Sequence, residues 1–244
     1  MTRNFWDLVN KVIEEADILL EILDSRFPEL TRNQEIEEKV HQAGKELILV
    51  MNKCDLVSQE YCEQWKRKLK NAIFVSSREH QGTKLLREAI HKRAKKEMVI
   101  VGVLGYPNVG KSSVINVLKG RASAKTSNIS GFTRALQKVK ITNRIMMLDT
   151  PGVIPYHEKD CAKHALIGAV SSEKLKDVEG AAMQLIETLA GKIEQYFGVS
   201  GSDSYEILCN IALKRKMLLK GGEPNTNLAA RSVMKLWQEG EIKM

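Results

Sequence analysis

Along residues 1–150, short apolar runs alternate with longer amphipathic segments, which predicts strands separated by helices. Four apolar runs predict buried strands, at residues 17–24, 46–51, 72–75 and 98–104. Helices are predicted at 31–43, 58–69 and 84–95, and another begins near Lys111. Residues 137–142 and 144–148 have the pattern of a β-hairpin. The alternation is typical of an α/β fold with a mainly parallel sheet and helices on both faces.

After Pro155 the strand pattern stops and only helical periodicity continues. Helices are predicted at 162–170, 178–193, 205–219 and 227–238. We therefore expect two domains, an α/β domain over residues 1–158 and a small all-α domain over residues 159–244.

The composition changes this picture little, because 43% of the 244 residues are hydrophobic, as in ordinary globular proteins. The longest apolar runs, 46–51 and 98–104, are far shorter than the roughly 18 residues that a membrane helix needs. No apolar segment typical of a secretion signal follows Met1, and the four cysteines form no CxxC pair. We expect a monomeric, cytoplasmic protein with reduced cysteines, no structural metal and no membrane partner.

The net charge of +8 is concentrated in one stretch of the chain. Residues 92–154 contain 12 Lys or Arg and two acidic residues, Glu97 and Asp149, whereas the segments before and after are nearly balanced. If charged residues were distributed at random over a solvated surface, acidic residues would not be this rare in one stretch of the chain. The distribution indicates a polyanionic partner in addition to any small ligand.

The strand at 98–104 leads into Gly105-Tyr-Pro-Asn-Val-Gly110-Lys111-Ser112, which matches the phosphate-loop pattern GxxxxGK[ST]. Glycines allow the backbone to wrap phosphates, and the amides that begin the next helix point toward them. Lys111 would neutralise the β- and γ-phosphates, and Ser112 would coordinate Mg²⁺. The predicted nucleotide contacts in this loop are Asn108, Val109, Gly110, Lys111, Ser112 and Ser113.

A second motif, Asp149-Thr-Pro-Gly152, follows the strand at 144–148. Asp149 suits a contact to Mg²⁺ through water, and the Gly152 amide suits a contact to the γ-phosphate. A turn at a strand end explains DxxG alone equally well. Its position 37 residues after Ser112 leaves room for one helix and a hairpin, which makes the pair of motifs specific.

Two further motifs indicate which base is bound. Asn52-Lys53-Cys54-Asp55 ends the strand at 46–51, where α/β folds bind ligands. A carboxylate at Asp55 can accept hydrogen bonds from both N1–H and the exocyclic amine of guanine, and adenine presents no such pair. The next strand ends at a serine pair that can supply a backbone N–H to guanine O6. We therefore predict GTP and GDP as ligands, with base contacts from Asn52, Lys53, Asp55, Ser76 and Ser77.

The base-recognition motifs precede the phosphate loop, so the same sheet would have to assemble from a circularly permuted chain. That order, with Asp24-Ser-Arg26-Phe-Pro28 (DxRxP) upstream, resembles the circularly permuted GTPases of the YlqF/YawG (RbgA-like) type. The resemblance covers the whole α/β part and continues weakly into the tail at Gly221-Gly-Glu-Pro224. It implies a permuted P-loop GTPase domain in a GTP-hydrolysing assembly factor of the large ribosomal subunit, which binds rRNA or the pre-ribosome in its GTP state.

The resemblance also implies roles for single residues. Gly131-Phe-Thr133-Arg134 matches the switch I motif, so Thr133 would close over Mg²⁺ and the γ-phosphate, with Thr126 as the alternative. Asn108 either helps to hold a K⁺ ion or only stiffens its loop. Val153 and Ile154 stand where many GTPases have a water-orienting Gln, so basal hydrolysis to GDP and phosphate should be slow and stimulated by K⁺ and the subunit. The predicted catalytic residues are Lys111, Thr133, Asn108 and Gly152.

Around switch I the sequence contains seven basic residues and no acid: Lys119, Arg121, Lys125, Arg134, Lys138, Lys140 and Arg144. We expect this segment to become ordered with GTP and then to bind RNA phosphates. Two other functions stay open, a GTP-gated RNA-binding protein whose hydrolysis is incidental and a GTPase of tRNA modification or protein targeting. For DxRxP, a simple strand-end turn and a functional role are equally compatible with the sequence.

Overall fold

The computed structural model of the chain describes residues 3–120, 136–150 and 161–244. It separates into two compact units, Met1–Lys159 and Asp160–Met244. The predicted domain boundary after residue 158 falls in a segment that the structure does not describe, so its position stays a prediction.

Six strands are described in the first unit: β1 (Ile18–Asp24), β2 (Glu46–Asn52), β3 (Ile73–Val75), β4 (Val99–Leu104), β5 (Gln137–Lys140) and β6 (Ile145–Asp149). They form one sheet in the order β3-β2-β1-β4-β6-β5, in which β5 alone is antiparallel to its neighbour. The helices of this unit are α1 (Arg3–Glu15), α2 (Pro28–Thr31), α3 (Gln34–Gln42), α4 (Gln59–Lys68), α5 (Thr83–Arg93) and α6 (Lys111–Lys119). The predicted α/β class with a mainly parallel sheet is confirmed.

The central strand β1 is buried along its whole length. Successive side chains of a strand point to opposite faces of the sheet, so burial of every residue means that both faces are covered at β1. β2 pairs with one edge of β1 along its whole length. β4 pairs with the other edge in a shorter register, from Ile18 opposite Val101 to Glu21 opposite Leu104. β1 therefore joins the two halves of the sheet.

Five of the strands run in the same direction, so their carboxyl ends meet at one edge of the sheet. Each of these ends leads into one of the predicted motifs. The motif segments begin at Asp24 (DxRxP), Asn52 (NKxD), Ser76 (the serine pair), Gly105 (the phosphate loop) and Asp149 (DxPG). The topology thus brings five motifs to one edge of the sheet, although the first and the last are more than a hundred residues apart in the chain.

α1 precedes the first element that the sequence pattern predicts. Its buried residues Val9, Val12 and Ile13 pack in a core cluster with Leu19 of β1. The sheet accepts this helix closely because β4 has a glycine there: a Cβ at Gly102 would lie 2.7 Å from side-chain atoms of both Val12 and Leu19. The i, i+3, i+4 spacing of the three buried residues is a helical pattern, so this helix is visible in the sequence.

The helix predicted over residues 31–43 is found as α3 (Gln34–Gln42), and a separate one-turn helix, α2 (Pro28–Thr31), precedes it. Asn33 caps the start of α3, because its side chain accepts a hydrogen bond from the Ile36 amide at 3.1 Å. Its own amide donates to the buried Glu21 carboxylate of β1 at 2.8 Å, which ties the start of α3 to the sheet. The predicted cap of α4 is confirmed, since the Ser58 hydroxyl accepts from the Tyr61 amide.

In the second unit the described elements are helices: α7 (Cys161–Leu166), α8 (Val178–Thr188), α9 (Lys192–Phe197), α10 (Ser204–Lys214) and α11 (Thr226–Glu239). α11 packs against α8 and α10, and its Trp237 is completely buried, with its indole N–H donating to the Leu166 carbonyl at 2.7 Å. Three predicted helices end earlier than expected, and the first of them, predicted at 162–170, ends at Leu166. The one at 178–193 ends at Thr188 before α9 begins, and the one at 205–219 ends at Lys214.

A turn replaces the last part of the predicted helix at 205–219. Leu218 and Pro224 form an isolated bridge, and both Gly221 and Gly222 between them have positive φ angles. Glycine adopts this backbone conformation without the steric cost that side chains impose, so the pair favours a turn over a continued helix. Across the described ranges, none of the helices is long and apolar enough to cross a membrane.

Candidate nucleotide-binding site

The phosphate-loop motif forms a tight loop between β4 and α6. Gly105 and Gly110 have φ angles of 139° and 97°, which favour glycine. Contacts exclude a side chain at both positions, since a Cβ would lie 2.5 Å from the Ile22 carbonyl oxygen at Gly105 and 2.2 Å from Asn52 Nδ2 at Gly110. Between them, Asn108 has a φ of 60°, a left-handed conformation that asparagine tolerates well. The backbone is therefore shaped as a loop that can surround a phosphate group.

Lys111 begins α6 and its side chain is buried. Its Nζ donates to the carbonyl oxygens of Gly105 and Tyr106, at 2.9 and 2.8 Å. Burial lowers the pKa of Lys111 to about 8, although the nearby charge of Asp149 raises it. A phosphate in the loop would supply the negative charge that this buried amine needs.

Ser112 and Asp149 meet next to Lys111. The Ser112 hydroxyl at the start of α6 donates to Asp149 Oδ2 at the end of β6, at 2.8 Å. Hydroxyl and carboxylate oxygens are ligands that suit Mg²⁺, which is usually bound by one or two protein groups together with phosphates and water. Ser112, and Asp149 through water, are therefore the described residues that would hold Mg²⁺ together with phosphate oxygens.

Asn52 joins two of the loops. Its Nδ2 donates to the Val109 carbonyl of the phosphate loop at 2.8 Å, and its Oδ1 accepts from the Ser77 hydroxyl at 2.8 Å and from the Ser77 amide at 3.3 Å. The side chain is almost completely buried, so these bonds form in a protected environment. Asn52 therefore fixes the distance between the phosphate loop and the loop that contains Ser76 and Ser77, which we call the serine loop.

The serine loop is already engaged within the protein. The Ser76 amide donates to the Gln81 carbonyl at 3.1 Å, and the Ser76 hydroxyl accepts from the Glu79 amide at 3.0 Å. The Ser77 amide, as described, donates to Asn52. A contact from these two amides to guanine O6 would have to replace or share these bonds, so that contact stays a prediction.

The base-recognition segment turns sharply after β2. Lys53 has a left-handed backbone with φ 62° and is followed by a single turn of 3-10 helix, Cys54–Leu56, closed by a bond from the Leu56 amide to the Lys53 carbonyl. Asp55, which the sequence assigns to guanine, lies half-buried in this turn. Cys54 and Cys62 are free thiols, and burial raises the pKa of Cys54 to about 11, which makes it unreactive.

The DxRxP motif forms a buried charge cluster that contacts the base-recognition segment. Asp24 Oδ1 accepts from the Arg26 amide and from Arg26 Nε, both at 3.0 Å. Asp24 Oδ2 accepts from Arg26 Nη2 and from Lys53 Nζ, both at 2.8 Å. Burial would raise the pKa of Asp24, but the charges of Arg26 and Lys53 outweigh it and hold this pKa far below the ordinary value. Burial lowers the pKa of Lys53, and the charge of Asp24 opposes that effect.

The two remaining residues of the motif shape the turn. Pro28 begins α2, where its missing N–H costs nothing, and it is buried. The short helix brings Thr31 back to the strand end, where its hydroxyl accepts from the Asp24 amide at 3.0 Å. From the sequence, DxRxP was equally compatible with a simple strand-end turn and with a functional role. The structure shows that it forms a turn and also contacts Lys53.

Two predicted site residues, Thr133 and Gly152, lie outside the described residues, as do Thr126 and the basic residues Arg121, Lys125 and Arg134. The β5–β6 hairpin next to switch I is described. There Lys138 pairs with Glu15 of α1 at 3.1 Å, and Arg144 donates to the Glu97 carbonyl at 3.3 Å. Residues 119–144 contain no acidic residue, but the fold brings Glu15 of α1 next to Lys138.

A sequence model described as "50S ribosome-binding GTPase" matches residues 100–196. The chain is 40% identical to an uncharacterized GTP-binding protein of Methanocaldococcus jannaschii, over 96% of this chain and 65% of that protein. It is 34% identical to the GTPase grn1 of Schizosaccharomyces pombe, over 96% of this chain and 59% of that protein. The crystal structure of GNP-bound YlqF from Thermotoga maritima superposes with a TM-score of 0.70 at 25% identity, over 98% of this chain and 95% of that chain.

Fold and motif order define a circularly permuted P-loop GTPase fold, in which the base-recognition strands precede the phosphate loop. In its motifs and its fold the chain is similar to the YlqF-like circularly permuted GTPases. It spans less than two thirds of the length of these two curated relatives.

The buried amine of Lys111 predicts a pH dependence of stability. In the unfolded chain Lys111 has its ordinary pKa, whereas in the folded protein the pKa is about 8. The unfolded state therefore binds more protons between these two values. Through this window the free energy of unfolding should rise with pH by up to about 1.4 kcal/mol per pH unit, and below it the lysine is charged in both states and adds no slope.

Lys111→Met removes the titrating amine and should remove this rise. The measurement is urea unfolding of wild type and variant at several pH values from neutral to about 10. Lys84→Met, which removes an exposed lysine from α5, is the matched control and should keep the wild-type slope. Parallel pH profiles for wild type and Lys111→Met would contradict the assignment of the buried amine.

Proposed function

We propose that this protein binds GTP and GDP, hydrolyses GTP to GDP and phosphate with Mg²⁺, and acts as an assembly factor of the large ribosomal subunit. It would work in the cytoplasm as a monomer and bind rRNA or the pre-ribosome in its GTP state. One observation supports nucleotide binding: Lys111, the Ser112–Asp149 pair and Asn52 lie at the same edge of the sheet. Asn52 bonds to the phosphate loop and begins the base-recognition motif. The description of the matching family as 50S ribosome-binding supports the subunit part.

Each element of the site has a chemical task in this proposal. The amides at the start of α6 and the Lys111 amine neutralise the phosphates, once the amine leaves the two loop carbonyls that it contacts. Ser112, and Asp149 through water, would hold Mg²⁺, which would neutralise negative charge on the phosphates. Asp55 selects guanine. Thr133 and Gly152 would complete the site from the γ-phosphate side.

The large-subunit contact would use the basic residues around switch I. Lys119, Lys140 and Arg144 are exposed in the first unit, and so is most of Lys138 despite its pair with Glu15. Such residues bind RNA phosphates with an affinity that falls steeply with salt. In the second unit, Lys214 donates to the Gly198 carbonyl and Arg215 stacks on Phe197, so these two basic side chains have contacts within their own unit.

The base assignment predicts a change of specificity in Asp55→Asn. An Asn amide can donate to the O2 of xanthine, but it cannot accept both donors of guanine. GDP affinity should fall by about ten- to a hundredfold, the cost of a lost hydrogen bond to a charged group, and xanthosine diphosphate affinity should rise. Titration with both nucleotides measures this. Asp55→Ala is the control that should lose GDP without gaining xanthosine diphosphate, and wild-type GDP binding by Asp55→Asn would refute the assignment.

Basal hydrolysis should be slow, on the order of 10⁻⁴ to 10⁻² s⁻¹, as in GTPases without full activation. We expect it to be faster in K⁺ than in Na⁺ at equal ionic strength, because Asn108 would help to place K⁺ near the phosphates. Asn108→Gly keeps the left-handed backbone that Asn108 has and removes the amide, so it should lose the K⁺ effect. If Asn108→Gly retains the effect, Asn108 serves only the loop conformation.

Subunit binding should require GTP and should depend on the β5–β6 hairpin. Replacing Lys140 with Ala should lower the slope of log affinity against log salt by about 0.7 to 0.9, the value for one phosphate contact. Adding Lys138→Ala should lower it further by less, because Lys138 already has Glu15 as a partner. The measurement is a salt titration of binding to large subunits with a GTP analogue and with GDP.

Lys84→Ala, which removes the same charge from α5, should leave that slope unchanged. Equal affinity in both nucleotide states would contradict the GTP-gated mechanism, and an unaltered slope in the hairpin variants would move the RNA contact elsewhere. Single-turnover hydrolysis with and without subunits separates an assembly GTPase from an RNA-binding protein whose hydrolysis is incidental.

A further inference from the structure

The buried Asp24 cluster lies outside the phosphate chemistry described above, yet it contacts the base-recognition segment at several points. One carboxylate serves two cations: both of its oxygens bind Arg26, and Oδ2 also binds Lys53 Nζ at 2.8 Å. Asp24 and Arg26 are at most 1% exposed. A bidentate Arg–Asp pair is already charge-balanced, so stability alone does not call for the added lysine.

The DxRxP segment holds the base-recognition segment near both of its ends. At the start, the Ser25 amide donates to the Asn52 carbonyl at 2.8 Å, and Asp24 holds the side chain of Lys53. Beyond Asp55, the Tyr61 hydroxyl of α4 donates to the Arg26 carbonyl at 3.3 Å. Asp55 lies between these attachments and is therefore fixed by contacts on either side.

The backbone at Lys53 needs such support. A left-handed conformation is sterically unfavourable for a residue with a side chain, and at Lys53 this conformation turns the chain into the 3-10 turn that contains Asp55. The buried ion pair to Asp24 can offset that cost, because charge-assisted hydrogen bonds are stronger in a site without water.

We propose that Asp24 and Arg26 are positioning residues for guanine recognition: by holding Lys53 in its left-handed turn, they orient the Asp55 carboxylate toward the base. The inference rests on the proposed binding of guanine nucleotides. It gives DxRxP a task in base discrimination, although neither Asp24 nor Arg26 touches the nucleotide in this mechanism.

The test compares GDP with inosine diphosphate, whose base lacks the exocyclic amine that Asp55 is expected to bind. The dissociation constant for inosine diphosphate divided by that for GDP is the ratio that reports how well Asp55 is oriented. A loss of stability lowers the folded fraction for both ligands equally and leaves the ratio unchanged, so the ratio separates positioning from a purely structural role.

Asp24→Asn removes the charge that holds Lys53 and should reduce the ratio about tenfold, the value of one hydrogen bond to a charged acceptor. Arg26→Lys keeps the positive charge but loses the bidentate geometry, and it should reduce the ratio by a smaller factor. If Asp24→Asn does not fold, Arg26→Lys decides the question. Glu37→Gln, which breaks the Arg32–Glu37 pair of the same unit, is the matched control and should keep the wild-type ratio.

Wild-type ratios in folded Asp24→Asn and Arg26→Lys would overturn the inference while leaving guanine binding intact. If the wild-type protein itself does not prefer GDP over inosine and adenosine diphosphates, the proposed function fails first. The two failures are therefore distinguishable in one set of titrations.

Discussion

The pairing of β1 with β4 is the contact on which the nucleotide site depends. β1 belongs with β2 and β3 to the half of the sheet that leads into the base-recognition loops, and β4 belongs to the half with the phosphate loop. Four residue pairs join the halves. They set the register in which Asn52 reaches the Val109 carbonyl, and a slip by one residue would exchange the faces of every side chain on one half. The geometry of a bound nucleotide is therefore determined in the middle of the sheet.

The sequence was most informative where strand pattern and motif coincide. The phosphate loop, NKxD and Asp149 of DxPG lie at strand ends as predicted, because an apolar run followed by glycine or a polar cluster fixes both element and boundary. What it missed depends on tertiary contacts. The start of α3 at Gln34 is set by the Asn33 cap and its bond to Glu21, and the acid that pairs with Lys138 comes from α1. A charge count along the chain cannot show partners that only the fold brings together.

The cluster around Asp24 illustrates a different limit. A buried ion pair is costly to desolvate and adds little net stability compared with well-packed apolar residues. Its presence at the end of the most buried strand therefore suggests a gain in specificity of conformation. The motif letters Asp, Arg and Pro state which residue types are present. They do not show that Arg26 and Lys53 both bind the Asp24 carboxylate, or that Lys53 belongs to the next motif. This arrangement follows from the parallel register of β1 and β2, which places Asp24 opposite Asn52.

The position of β1 in the permuted chain also affects the order in which the protein can fold during synthesis. β1 and β2 are synthesised before β4 and can pair at once, but the other edge of β1 has no partner until Val99 and the rest of β4 emerge. Until then a strand with five apolar residues out of seven has an open edge, which is where nascent chains pair wrongly or aggregate. Translation must thus add about 80 residues before the hazard ends. In an unpermuted chain the phosphate-loop strand β4 would precede β1, so permutation leaves the central strand without a partner that would otherwise already have been made.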